Sequence, residues 1–315
     1  MITFDNRSHD PYYNLAFEEY VFEQFPNDEI FLLWQNSPCV VVGSHQNICR
    51  EVHMPSLRRL HIPVVRRSSG GGTVYHDLGN VNYTYITASD GMVDYERCMQ
   101  PVIEALNAIG VPAGKNRTCD IAIGQQKISG SAQRMSKGRV LHHGTLLFQS
   151  DLAVLDRITT HHKNDCFQTK GTLSDICSVT NICEHMNRSM TVAEFQQRLL
   201  GAMLPPGSTH VELTAQQQTE VCRLRDEKYH SWQWTWGMTP AFVYEKSGQF
   251  AGMPICVRYR AKKGIVSDAQ IECAGIDAGQ AAAALNGTRL DPDGFYAICC
   301  ALSPDRADEL MDCLM

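Results

Sequence analysis

Residues 66–80 read RRSSGGGTVYHDLGN. The consecutive glycines Gly70, Gly71 and Gly72 let the backbone approach a ligand closely and leave its N–H groups unobstructed. Arg66 and Arg67 beside them can offer fixed positive charge to phosphate or carboxylate oxygens. Taken by itself, a tight β-turn with a basic edge accounts for the same residues. Two familiar nucleotide templates fail here. There is no GxxxxGK[ST], and Gly70-x-Gly72 lacks the third glycine of GxGxxG because Tyr75 stands in its place. A nucleotide held by this loop therefore sits in some other fold.

The flanks of the loop are β-type. Ile30 to Trp34, Cys39 to Val42 and Pro63 to Arg66 precede it, and Val81 to Ile86 follows with Val81, Tyr83 and Tyr85 on one face. Upstream, Asp10 can cap a helix that starts at Pro11 and buries Tyr13, Ala16, Phe17 and Tyr20. Downstream, a helix is predicted from Tyr95 to Ile109, ended by Gly110. Strands Ile121 to Ile123 and Lys127 to Ser129 flank a Gly124-Gln125-Gln126 turn, and Val140 to Phe148 is a further β run. Thr191 with Glu194 and Thr214 with Gln217 have capping-box spacing, with a Pro205-Pro206-Gly207 loop between them. Strands and helices mix without strict alternation, so the expected class is α+β. A boundary is placed at Glu245-Lys246-Ser247-Gly248, dividing a body of residues 1–244 from a small α+β tail of residues 245–315.

The 315 residues are 43% hydrophobic and 20% charged, a globular balance. A net charge of −6 gives no support for broad nucleic-acid or anionic-membrane binding. No apolar run approaches the roughly 20 residues that span a bilayer, and the polar start lacks a secretory pattern. The 13 cysteines are odd in number, irregularly spaced and free of CxxC pairs, so reduced thiols and a cytoplasmic location are expected. Sequons such as Asn116-Arg117-Thr118 then carry no glycosylation signal.

Two further stretches carry candidate chemistry. In DIAIGQQKISGSAQR, Asp120 to Arg134, Lys127 is followed by the small residues Ser129, Gly130 and Ser131. Such a lysine can reach into a pocket and stabilise charge building on a carboxylate and a phosphate; a solvated strand-edge lysine is the plainer reading. His142-His143-Gly144-Thr145-Leu146-Leu147 joins a histidine pair to an apolar strand, and without cysteine or carboxylate at ligand spacing it reads as structural. His161-His162 reads as a loop pair.

Together with KGTLSDICSVTN from Lys170 to Asn181, GSHQN at Gly43 to Asn47 and SWQWTWGMTPAF at Ser231 to Phe242, these stretches stand in an order that resembles the lipoate–protein ligases of the bacterial two-domain type. The resemblance spans nearly the whole chain. It implies a biotin/lipoate ligase-like catalytic domain with mixed sheets and flanking helices, followed by the small C-terminal domain. It implies ATP and Mg2+, lipoic acid as substrate, and a lipoyl-adenylate passed to a lysine of a lipoyl domain of a 2-oxoacid dehydrogenase E2 subunit or of glycine-cleavage H protein. By position, Arg67, Gly72, Thr73, Val74, Tyr75 and Lys127 fall to ATP. Gly71, His76 and Lys127 fall to lipoate, Asp120 to the metal, and Lys127 is the catalytic residue. The strand Val40 to Val42 with Val74 is expected to line part of an apolar slot. One departure stands out: Cys119-Asp120 occupies the place of the family's common Asn-Asp, which puts the metal site in question. The rival on the same fold is an ATP-independent lipoyl or octanoyl transferase using a cysteine thioester, for which Cys119 and Cys166 are the candidates. A non-catalytic lipoate binder and a biotin ligase are weaker rivals, the latter for want of a GRGRxGR-type loop.

Overall fold

The computed structural model describes residues 1–159, 165–175 and 177–315; the His161-His162 pair lies outside the described residues. The chain divides into two compact units. The first comprises 1–43, 67–152 and 175–230, and the second 44–66, 153–174 and 231–315.

The first unit is built on an eight-stranded mixed sheet. Its order is Thr209–Val211, Ile2–Phe4, Ile30–Trp34, Asn80–Ala88, Arg139–Leu147, Gln126–Ser136, Asp120–Ile123 and Gly114–Lys115. Ile2–Phe4 pairs parallel with both neighbours, and the other ladders are antiparallel. The strand expected from Val81 runs over Asn80–Ala88, with Val81 and Tyr83 fully buried, but Asn80, Asn82 and Thr84 on its other face are buried too, so the alternation in letters does not separate core from solvent. Helix Tyr95–Ala108, capped by Asp94, lays Met99, Val102, Ile103 and Leu106 onto the face of Val81 and Tyr83. Helix Val192–Met203 adds Phe195, which stacks on Phe148 with ring centroids 4.5 Å apart. Both capping boxes form as their spacing requires.

Helix Pro11–Gln24 also starts as read, with the Asp10 carboxylate accepting from Tyr12 N. Its apolar stripe is interrupted, however, by polar residues that are themselves buried: Asn14 and Glu18. Asn14 donates to the carbonyls of Ser8 and Gln35 and to Asn36, which ties the helix to the chain around it.

In the second unit, Asp165–Thr169, Phe242–Phe250, Met253–Lys262 and Ile265–Cys273 form an antiparallel sheet. Tyr244 and Tyr259 pack 5.0 Å apart in its core. Helices Ala278–Leu285, Pro292–Leu302 and Ala307–Leu314 complete it. The run Glu245 to Gly248, expected as a boundary, lies inside the strand Phe242–Phe250 and pairs with 255–258. Polar letters mislead there because Lys246 is buried in an ion pair with Asp165 at 2.9 Å. No helix among the described residues is long and apolar enough to cross a membrane.

Candidate active site

The glycine loop lies between Arg67 and the short strand Val74–His76, which is outside the eight-stranded sheet and pairs with Cys39–Val42 in the register Cys39–His76, Val40–Tyr75 and Val41–Val74. Successive side chains along an extended chain point to opposite sides, and the two arginines separate accordingly. Arg66 belongs to the second unit, where its guanidinium donates to the carbonyls of Thr235 at 2.9 Å and Gln46 at 3.0 Å. It is a buried clamp, which corrects the expectation of a cation offered to ligand.

Arg67 turns beneath the loop itself. Its Nη2 donates to the carbonyls of Gly70 at 2.6 Å and Gly72 at 2.7 Å, Nη1 to Val41 O at 3.2 Å, and Nε to Ser69 Oγ at 3.0 Å. Burial lowers its pKa to about 10, which still leaves it charged at neutral pH. With these carbonyls drawn inward, the N–H groups of Gly70, Gly71 and Gly72 donate to no acceptor among the described residues. An array of outward N–H groups is a cradle for anions. Gly71 has φ +85° and lies against Arg67 and Ala132, so a Cβ there is both strained and crowded. A Cβ on Gly43 would overlap the Gly71 carbonyl oxygen.

The loop is fixed from below by a buried polar chain. Ser69 Oγ meets His143 Nε2 at 2.7 Å, and His143 Nδ1 donates to both carboxylate oxygens of Glu18 at 2.9 Å. Glu18 also accepts from Thr84 Oγ1 at 2.6 Å, which in turn accepts from Trp34 Nε1 at 2.9 Å. The next helix residue, Glu19, accepts from Arg134 at 3.0 Å, from Lys228 at 2.6 Å and from Tyr229 OH at 2.5 Å. Burial raises the Glu19 pKa, but those donors outweigh it and leave the carboxyl below its ordinary value. Arg134 continues to Ser68 Oγ at 3.3 Å. Neither Glu18 nor Glu19 carries a motif that marks it in the sequence. Their one local mark is that they are consecutive acids among the apolar residues of helix Pro11–Gln24.

His142 and His143 face opposite sides of Arg139–Leu147. His142 lies between Tyr83 OH at 3.2 Å and Gln133 Nε2 at 3.1 Å. Burial, with His143 nearby, lowers its pKa to about 3. His76 is likewise held neutral at about 3 by burial, with Arg67 and His143 adding to the effect. Its Nδ1 accepts from the Asn36 amide at 3.0 Å, so Nε2 carries the proton, and that donor is buried without a partner. Of the other loop positions, Gly72, Thr73 and Val74 keep some exposure, whereas Tyr75 is buried. Val40 to Val42 are buried too, so of the expected apolar slot Val74 alone retains accessible surface.

Lys127 lies at the start of Gln126–Ser136, where the register against Asp120–Ile123 shifts between Ile121 and Ala122. Lys127 pairs with Ala122 and Ser129 with Ile121, so one residue of the longer strand bulges out. The bulge sends the lysine side chain over Gly130, directly across from Asp120, and Nζ meets Asp120 Oδ1 at 2.8 Å. A Cβ on Gly130 would lie 2.8 Å from Nζ, so only glycine leaves this path open. The backbone of Lys127 is gripped by the downstream motif: its N donates to Ser178 O at 2.9 Å, and its carbonyl accepts from Thr180 N at 3.0 Å. Ala132, two residues beyond Gly130, backs Gly71.

Cys119 is half-buried with its Sγ 3.7 Å from Asp120 Oδ1, and burial and that carboxylate raise its pKa. Its carbonyl accepts from Ser131 N and Oγ at 2.9 and 2.8 Å. No group of three or more His, Cys, Asp or Glu among the described residues could hold a metal ion. In the second unit, GSHQN and KGTLS meet: Thr172 N donates to His45 O at 3.2 Å, and Gln46 Nε2 donates to Ser174 Oγ at 3.0 Å.

The Lipoyl protein ligase A/B catalytic domain family matches residues 10–204. Lipoate–protein ligase 1 of Staphylococcus aureus is 35% identical over 273 residues, covering 85% of this chain and 82% of its own. The lipoate–protein ligase LplJ of Bacillus subtilis is 34% identical over 281 residues, covering 86% and 84%. Among solved structures, P. falciparum LipL1 in complex with lipoate matches with TM-score 0.64 at 20% identity, covering 98% of each chain. A lipoate–protein ligase A bound with ATP gives 0.63 at 22%, covering 74% of this chain and 97% of its own. The bipartite ligase of Thermoplasma acidophilum, studied with its E2 lipoyl domain, gives 0.64 at 23%, covering 74% and 95%. At these identities the structures establish the α+β fold.

The neutral, buried state of His76 and His142 sets a pH dependence. The unfolded chain protonates both below their ordinary 6.5, while the folded chain resists to about 3. Stability is therefore full above about pH 6.5 and falls as pH drops, by about 1.4 kcal/mol per pH unit per histidine. Urea unfolding between pH 7.5 and 5 is expected to show the loss, and His142→Gln to make it shallower. Equal slopes for the two proteins would contradict the assignment.

Proposed function

We infer the chemistry from one premise: this chain belongs to the lipoate–protein ligase family. It is an enzyme of that type, a ligase acting on lipoate. In the reaction we assign it, a lipoate carboxylate oxygen attacks the α-phosphorus of ATP and the bond to pyrophosphate breaks. The resulting lipoyl-adenylate is then attacked at its carbonyl by an acceptor lysine amine, and AMP leaves. The ATP-bound ligase and the ligase studied with an E2 lipoyl domain support these two partners. Glycine-cleavage H protein is a second acceptor in this reading.

The observation that carries the reading is the placement of Lys127. Its ammonium is fixed by Asp120 and by the grip of 178–180, and it is the group we assign to the charge that develops on the carboxylate and the α-phosphate. The N–H groups of Gly71 and Gly72, with the exposed edge of Thr73 and Val74, take the ATP phosphates. Arg67 and Tyr75 act from beneath, Arg67 by turning the carbonyls away from the ligand. The unpartnered Nε2–H of His76 is the donor we assign to lipoate, beside Gly71. All of these residues lie in the first compact unit. Catalysis is then largely positioning and preorganised electrostatics, with no covalent enzyme intermediate.

Mg2+ fits only in a particular way. Asp120 is a hard oxygen donor, but one oxygen already accepts from Lys127, and the neighbouring Cys119 offers a thiol and an occupied carbonyl. That donor set suits a Mg2+ held mainly by nucleotide phosphates and water, with Asp120 as the one carboxylate. The ion would supply charge neutralisation on the phosphates. The thioester alternative is not favoured. The Cys119 thiol is pushed away from the thiolate form, and Cys166 is an exposed strand residue of the second unit.

Transfer to a purified E2 lipoyl domain tests the assignment. Lys127→Ala is expected to abolish lipoylation. Gly130→Ala, whose new Cβ meets only the far end of Lys127, should stay within about 1 kcal/mol in stability and lose tenfold or more in rate. Cys166→Ser should retain full rate. Full activity in Lys127→Ala, or loss in Cys166→Ser, would sink the ligase mechanism as drawn.

A further inference from the structure

The buried chain under the glycine loop is more than the ligand cradle requires for its own contacts. Ser69, His143 and Glu18 have the spacing of a nucleophile, base and orienting acid: 2.7 Å from Ser69 Oγ to Nε2 and 2.9 Å from Nδ1 to the carboxylate. Access argues against that role. Ser69 is 1% exposed, and its oxygen already accepts from Arg67 Nε at 3.0 Å. A serine so held has no path to an acyl group.

The same geometry does something else. Glu18 accepts from His143 Nδ1 at 2.9 Å, His143 Nε2 shares a hydrogen bond with Ser69 Oγ at 2.7 Å, and Ser69 Oγ accepts from Arg67 Nε at 3.0 Å. These contacts link the guanidinium to the carboxylate through Ser69 and His143, and Arg67 Nε is shared between Ser69 Oγ and the Gly70 carbonyl at 3.1 Å. Arg67 has only carbonyl and hydroxyl partners, and Glu18 is the buried negative charge that favours its charged form. The orientation of Arg67 in turn decides which way the Gly70 and Gly72 carbonyls face.

We propose that Glu18, His143 and Ser69 are positioning residues that hold Arg67, and through it the glycine loop, in the conformation that binds a nucleoside triphosphate. This rests on the assignment of ATP to the loop made above. Glu19 acts in the same sense on the neighbouring residue, since Arg134 bridges it to Ser68. Consecutive acids of helix Pro11–Gln24 thus anchor the consecutive serines at the base of the loop. Loss of the chain lets Arg67 and the two carbonyls reorient toward the ligand, which weakens triphosphate binding and leaves lipoate contacts largely intact.

Calorimetric titration of the full chain with Mg-ATP and, separately, with lipoate distinguishes this from a merely structural role. Ser69→Ala is expected to weaken ATP binding about tenfold while lipoate affinity stays within twofold and thermal unfolding remains cooperative. Glu18→Gln, which keeps the shape and removes the charge, should weaken ATP in the same direction and serves if Ser69→Ala does not fold. Wild-type binding of ATP that both folded variants retain within twofold would overturn the proposal. A parallel loss of lipoate affinity would do so too, since it marks general damage. Wild-type protein that takes up no ATP would remove the functional reading first, and this inference with it.

Discussion

A guanidinium buried under a glycine-rich loop is the constraint on which the site depends. Arg67 would cost several kcal/mol to bury if its donors and charge were left uncompensated. The chain meets that cost with backbone carbonyls at Gly70, Gly72 and Val41, and with a hydrogen-bonded path through Ser69 and His143 to Glu18. Because the compensation comes from the loop's own carbonyls, the same interaction that stabilises the arginine shapes the cradle. Glycine is needed at 71 for the positive φ, and at 43 because no Cβ fits against the Gly71 carbonyl.

A second constraint places the lysine. In a regular strand, Lys127 and Gly130 would project to opposite faces. The bulge opposite Ile121 and Ala122 brings them to one face, above Asp120, and 178–180 fixes the backbone at that point. Bulges commonly re-aim side chains beside active sites. The glycine at 130 and the bulge are therefore a matched pair, one freeing the path and the other pointing the lysine along it. The chain also joins motifs far apart in sequence: SVTN grips the lysine strand, while GSHQN and KGTLS close on each other in the second unit.

Much of this was legible in the letters. The RRSSGGG run and Lys127 among small residues mark the site because few other arrangements need such residues together, and the caps at Asp10, Thr191 and Thr214 form as their spacing demands. What stayed hidden was long-range. A buried Glu18 looks like any helical glutamate until His143 and Thr84 are seen beside it. Arg66 and Arg67 read as equals, though alternation along an extended chain already separates them. Glu245 to Gly248 has turn-like letters and a strand conformation, because Lys246 finds Asp165 some 80 residues away. The helix Pro292–Leu302 carries a local signal in its Asp291-Pro292 start, where the Asp291 side chain accepts from Gly294 N. In the preceding cases tertiary partners decide what local composition leaves open.

The most direct measurement is exchange of labelled pyrophosphate into ATP by the purified protein with Mg2+, in the absence of any acceptor protein. The account predicts exchange that requires lipoate, since reversal of adenylate formation is the only step that returns pyrophosphate to ATP. Exchange without lipoate, or none from folded protein that still lipoylates an acceptor, would contradict adenylation at the Arg67 loop and Lys127.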